Sequence, residues 1–288
     1  MALDAGTATM SSGYDATKPI RVARFTINDY HAKRRWLSVP EIFMYSSNIG
    51  SVKMALDVGT KRQRAFMGKL GFLKPVAVEL PEKGTPMTPS PWRQINTMTI
   101  SFGHGLAVSP LHLANAVASI VNGGIKRPIT LLARGDKDRI TLPKGKRVIS
   151  KRTSRAMRQL LRLVVEHGTG RKAAAEGYLV GGKTGTAEKS GGRGRYNRKS
   201  LLSSFVATFP SNDPRYVVLV MVDEPKGTKE SHGYATGGWV AAPAVKRIVS
   251  RAAPLLGIHP VDEMSPEIRR DLKIRLPDAK GGKRLASF

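Results

Sequence analysis

Apolar residues recur three or four positions apart in several separate stretches of the chain, and each stretch predicts a helix. In SPLHLANAVASIVNGG, Leu113, Val117, Ile120 and Val121 make one apolar face. Ser109 caps its start, Pro110 suits the first turn, and Gly123-Gly124 ends it. Met157, Leu160, Leu161 and Val164 repeat the pattern in the second part of a basic stretch, 134–158. Val245, Ile248, Val249 and Ala252 repeat it again near the last predicted helix, GGWVAAPAVKRIVSRAAPLLGI. SVPEIFMYSSNIGSVKMALDVG opens with Ser38, Pro40 and Glu41, a capping box with proline in the first turn. A short helix should run from there towards Tyr45 and break at Ser46-Ser47-Asn48. A second should follow to about Gly59, and a third from about Thr60 to Gly71. The period changes in LLSSFVATFP and RYVVLVMVDEP, which read as strands. Only SNDP separates them, a link short enough to make them an antiparallel hairpin.

Composition narrows the chemistry. The chain has 288 residues, of which 41% are hydrophobic, enough to bury a core. It has no cysteine, which excludes disulfides, thiolate catalysis and cysteine zinc sites. The six histidines show no metal-ligand spacing, and no G-x-S-x-G elbow of the α/β-hydrolases occurs. A net charge of +27 predicts attraction to something anionic, whether nucleic acid, acidic lipid or an acidic wall polymer. The scattered tryptophans do not interleave with the basic runs, so no base-stacking platform is expected. The longest purely apolar run, Val217 to Val222, is too short to span a bilayer, and the first residues do not read as a signal peptide.

GYLVGGKTGTAEK, residues 177–189, carries two incompatible signals. Gly177 through Thr184 satisfies the G-x-x-x-x-G-K-[ST] phosphate loop, and Asp223, at the end of VVLVMVDE, looks like a magnesium-holding partner. That reading needs a strand before the first glycine and a helix after Lys183-Thr184. Instead helix-prone RKAAAEG precedes, and a run broken by glycines follows. Lys183-Thr184-Gly185 is also K-T-G, a signature of serine acyltransferases that act on penicillin. On an edge strand, Gly185 would admit a substrate backbone, and Lys183 would supply a positive charge. Thr184 and Thr186 would hold a substrate carboxylate, and the Thr186 N–H would face an oxyanion. Ser46-Ser47-Asn48 fits the accompanying S-x-N element. There Ser46 would relay a proton and Asn48 hold a substrate amide. Taken alone, the triplet is more simply a helix cap on IGSVKMAL.

FMYSSNIGSVKMAL, TISFGHGLAVSPLHLANAVASIVNGG, VGGKTGTAEK, SSFVATFP and PRYVVLVMVDEP together resemble the transpeptidase domain of class B penicillin-binding proteins. The division-specific peptidoglycan D,D-transpeptidases are the most similar group. The resemblance implies an α/β (α+β) fold, an antiparallel sheet flanked by helices with a cleft at one sheet edge. It implies Ser46, Asn48 and Lys183 as catalytic residues and Thr184, Gly185 and Thr186 as substrate-binding residues, with no cofactor and no metal. It further implies peptidoglycan stem peptides ending in D-Ala-D-Ala, β-lactams and division-complex proteins as partners, no nucleic acid, and the periplasmic face of the inner membrane.

One element of the family is missing from these residues. No lysine has a serine three positions before it; Lys18, the lysine nearest the start, has Asp15 there. MALDAGTATM resembles the later part of the helix that carries Ser-x-x-Lys in the family. The expectation is therefore a transpeptidase domain over 1–258 that is truncated or mis-started at its amino end and negligible in acyl transfer. A basic, loosely held tail is expected over 259–288. Two rivals remain at this point: a phosphate-loop nucleotide or nucleic-acid binder using Lys183 and Asp223, and a non-catalytic remnant that binds peptide along the K-T-G edge.

Overall fold

A computed structural model describes residues 1–288 apart from 24, 134, 136–143, 191–195, 275 and 277–288. The amino-terminal third mixes short helices, short strands and irregular chain. It begins with α1 (Ala2–Ala5) and four short strands, β1 (Gly13–Asp15), β2 (Ile20–Val22), β3 (Phe25–Ile27) and β4 (Trp36–Ser38). β1 pairs with β4 and β2 with β3, both antiparallel. The three predicted helices follow as α2 (Val39–Tyr45), α3 (Asn48–Val58) and α4 (Thr60–Leu70). The Ser38 side chain accepts from the Glu41 N–H while Glu41 accepts from the Ser38 N–H, so the capping box forms. Leu37, Val39, Ile42 and Ile49 close a small core here with Ala2 of α1.

The second half is a sheet between helices. After α5 (Gln94–Ile100), α6 (Pro110–Val121), the β5 (Ile125–Lys126) and β6 (Lys146–Arg147) pair and α7 (Lys151–His167) come three antiparallel strands. These are β7 (Gly181–Ser190), β8 (Tyr196–Phe209) and β9 (Tyr216–Asp223), ordered β7-β8-β9, so β7 is an edge among the described residues. SNDP turns β8 into β9 as its composition predicts. Phe205, Ala207 and Phe209 of β8 pack on α8 (Gly237–Leu255) through Ala241, Ala242, Val245 and Val249. α7 lies on the other face, where Gly181 abuts the backbone of Leu161 and Arg162.

Several expectations are corrected in detail. α6 buries His112, Ala116, Ser119 and Val121, while Leu113, Val117 and Ile120 are only half-buried. α6 packs against α4, α7 and the sheet, so no single apolar stripe decides what is inside. Ile248 of α8 is 42% exposed, while Val245 and Val249 are fully covered. RKAAAEG makes one 3-10 turn, Arg171–Ala173, because glycines bracket it. The Gly- and Arg-rich loop at 190–200 lies partly in strands, with 191–195 outside the described residues. Most of the basic stretch before residue 144 is likewise outside them.

The segment from His259 is not loose chain throughout. α9 (Pro266–Leu272) is capped by Ser265 and buries Leu272, and Asp271 pairs with Arg155 of α7 at 3.0 Å. Its composition is poor in large apolar residues, but it docks through charges and main-chain hydrogen bonds instead. Residues 277–288, with GGKRLASF, lie outside the described residues. Among the described residues no helix is long and apolar enough to cross a membrane.

Candidate active site

The site forms where α2 ends and β7 passes. Ser46 is the carboxyl-terminal cap of α2 in the left-handed conformation, φ 56° and ψ 45°, and its N–H donates to the carbonyls of Ile42 and Phe43. A residue with a Cβ costs on the order of 1 kcal/mol there relative to glycine, a cost that marks the side chain as wanted. Ser47 is the cap of α3. Its hydroxyl accepts from the Gly50 N–H at 3.0 Å and donates to the Asp29 carboxylate at 2.7 Å. Asp29 also accepts from the Ile49 N–H at 2.9 Å, so the loop at 28–29 fastens the corner. Capping thus falls to the middle serine, which frees Ser46 and Asn48 on either side. Asn48 donates its amide to the Asn28 carbonyl at 2.8 Å.

β7 brings Lys183 to this corner. Alternation along the strand puts Gly181, Lys183 and Gly185 on the face towards α7, and Gly182, Thr184 and Thr186 on the face towards α8. The Lys183 ammonium donates to the Ser46 hydroxyl, joining residues 137 positions apart. It also lies 3.3 Å from the Thr184 carbonyl and 3.4 Å from the Thr184 hydroxyl. The Phe43 ring is 6.0 Å away, at the outer limit of a cation–π contact. Burial without a paired carboxylate lowers the ammonium from the usual 10.5 to about 8. A proton can therefore leave this lysine, or return to it, near neutral pH.

The threonines divide their work. The Thr184 hydroxyl contacts the Thr169 hydroxyl at 2.9 Å. The exposed Thr186 accepts from the Gly237 N–H at 3.1 Å, which ties the strand to the start of α8. Gly185 is opposite Ser204, whose hydroxyl a Cβ would meet at 2.5 Å, so a side chain there would have to turn that hydroxyl aside. Ser46 and Lys183 thus meet at one edge of the sheet, with Asn48 two residues on from the first and Thr184, Gly185 and Thr186 following the second along β7. Sequence reasoning missed Asn28, Asp29 and Thr169, which have no local pattern and reach the site only through the chain path.

The phosphate-loop reading is overturned. Lys183 sits inside a strand that continues to Ser190 and pairs with β8, so no helix follows Lys183-Thr184 in the chain as a phosphate loop needs. Asp223 is exposed and pairs with Lys189 at 3.1 Å, so its carboxylate answers a surface cation. Among the described residues no three His, Cys, Asp or Glu side chains cluster to hold a metal. The buried His112 serves its own helix, with Ser109 at 2.8 Å and the Lys74 carbonyl at 2.9 Å.

Comparison with known proteins agrees with this geometry. The penicillin binding protein transpeptidase domain family matches residues 1–250. The chain is 45% identical over 270 residues to a probable peptidoglycan D,D-transpeptidase FtsI of Caulobacter vibrioides, covering 91% of this chain and 45% of that protein. It is 33% identical over 267 residues to the probable peptidoglycan D,D-transpeptidase PenA of Neisseria meningitidis, covering 92% and 44%. The chain therefore spans just under half the length of these relatives. Among solved structures, the apo transpeptidase domain of Burkholderia pseudomallei penicillin-binding protein 3 superposes with a TM-score of 0.81 at 34% identity, covering 91% of this chain and 77% of that one. A sheet edge carrying K-T-G, an S-x-N corner facing it and these matches lead to one assignment: the chain belongs to the penicillin-binding protein transpeptidase domain family.

Proposed function

We propose that the cleft between β7 and the α2–α3 corner is the substrate-holding half of a peptidoglycan D,D-transpeptidase site used in septal wall synthesis. The observation that carries this reading is the Lys183–Ser46 hydrogen bond across the cleft. Ser46 relays a proton to and from the reacting centre, polarised by a lysine that exchanges protons near neutral pH. Asn48 holds the peptide backbone of a stem peptide. Lys183, Thr184 and Thr186 hold the carboxylate of its terminal D-Ala, and β-lactams occupy the same place. The Thr186 N–H serves the developing oxyanion. The 288 residues contain no Ser-x-x-Lys, so these residues bind and position, and acyl transfer requires a nucleophile they do not include. The same reading places the protein at the periplasmic face of the inner membrane among division proteins.

The test is binding without chemistry. A synthetic peptide ending in D-Ala-D-Ala is titrated into the ¹⁵N-labelled chain and followed by NMR. Expected are shifts at Asn48 and Thr184–Thr186, abolished by Lys183→Ala and absent with an L-Ala-L-Ala peptide. Shifts elsewhere only, or equal response to both peptides, refute the proposal.

A further inference from the structure

A buried arginine with two partly exposed carboxylate partners stands at the root of the strand that carries Lys183. Arg162 of α7 is only 5% exposed. Its Nε donates to Glu166 at 2.9 Å, one Nη donates to the Val180 carbonyl at 3.1 Å, and the other donates to Glu263. Glu263 uses its second oxygen to accept from the Gly177 N–H at 2.9 Å, and the Val261 N–H donates to the Gly177 carbonyl at 2.9 Å. Residues 261–263 and Arg162 thus hold both ends of the four residues that lead into β7. Leu179, between them, is fully buried at φ 46°, a conformation a leucine keeps only when its surroundings impose it.

α7 is the common support of both halves of the site. Gly181 lies so close that a Cβ would meet the Arg162 N at 3.1 Å. One helical stretch further along, Gly168 has no room for a Cβ, which would be 2.6 Å from the Met44 carbonyl of α2. The Thr169 N–H also donates to that carbonyl, at 3.4 Å. The separation of Lys183 from Ser46 is therefore the separation, along α7, of the β7 root from the end of α2. A slip of β7 by a fraction of a residue breaks the contact.

We infer that Arg162 and Glu263 are positioning residues: the carboxyl-terminal segment clamps the root of β7 on α7 and so sets Lys183 against Ser46. Glu263 comes from beyond the last sheet-packing helix, so the segment from Val261 has a task at the site 80 residues upstream in sequence. Removing the Glu263 carboxylate leaves Arg162 with Glu166 and the Val180 carbonyl, and the Gly177 N–H without its acceptor. The inference rests on the transpeptidase reading only for what Lys183 is used for.

The reporter is the titration of Lys183 in the full chain, followed by ¹³C-detected NMR of the lysine Cε and assigned with Lys183→Arg. In Glu263→Ala the midpoint should rise from its lowered position towards the ordinary lysine value by roughly one pH unit or more, as water reaches the loosened ammonium. Asp271→Ala, which breaks a surface pair of the same segment with Arg155, should leave it in place. Should Glu263→Ala lose its far-UV circular dichroism, Glu263→Gln decides in its stead; it keeps an acceptor for Gly177 and loses the charge facing Arg162, and the same upward movement is expected. A folded Glu263 variant of lowered melting temperature whose Lys183 titrates as in the parent overturns the inference, as does an equal movement in Asp271→Ala. A Lys183 that answers to Glu263 in a chain binding no D-Ala-D-Ala peptide overturns the functional reading and leaves the clamp standing.

Discussion

Lys183→Met converts the electrostatics of the cleft into a stability measurement. In the folded chain the ammonium titrates at about 8, against 10.5 for an ordinary lysine. Between those values the unfolded chain binds a proton that the folded chain has released. Folding stability therefore rises with pH across that window, and below it the lysine contributes no slope. The integrated gain between about pH 7 and about pH 10 is about 2.5 kcal/mol. Urea melts of parent and Lys183→Met at both pH values give four free energies, and their double difference cancels the other lysines and tyrosines. Methionine fills the same space without a charge, so the variant should lack the gain. At about pH 7 the two chains should be close, because the relief of burying a cation opposes the loss of a charged hydrogen bond of about 1.5–3 kcal/mol to Ser46. The parent should then pull ahead in alkali. A double difference under about 0.5 kcal/mol would show that the ammonium is solvated, and the argument for proton exchange at this position would fail.

Two substitutions test the frame around that lysine. Ser47→Ala removes the cap of α3 and the anchor for Asp29, and should cost about 1–2 kcal/mol in urea melts; no loss would mean the corner is held otherwise. Gly237→Ala would drive a Cβ to 2.2 Å from the Ser204 carbonyl and 2.5 Å from the Gly185 carbonyl. Neither backbone atom can swing aside, so α8 should be wedged off the sheet at about 1–3 kcal/mol, with amide exchange rising at Gly185 and Thr186; unchanged exchange would refute the contact.

The parts of this fold that were legible in the sequence are those with local causes. Ser38, Pro40 and Glu41 start α2 because a capping box is closed by residues three apart. SNDP makes a hairpin because its residues favour turns. The K-T-G and S-x-N elements were readable as short patterns, and their meeting followed from the resemblance. What escaped was non-local. Arg162 looks like one more cation on a basic helix, and only Glu263, 101 residues on, explains why it is inside. Asp29 reaches Ser47 through the chain path, and α6 hides its small and polar row because helices and sheet press on it from several sides. The division of labour within Ser46-Ser47-Asn48 was also invisible: either flanking residue could have been the cap until the geometry gave that duty to Ser47.

Because β7 is bonded on one side alone among the described residues, its outer margin offers main-chain donors and acceptors to any extended visitor. Hydrogen bonds of that kind are indifferent to side chains, so the margin itself cannot tell a proper guest from a stray loop or from a second copy of the same strand. Discrimination has to come from Lys183 and the threonines beside it. An opening made for recognition is thus also an aggregation hazard, and variants that neutralise Lys183 should be watched for self-association before their affinities are interpreted.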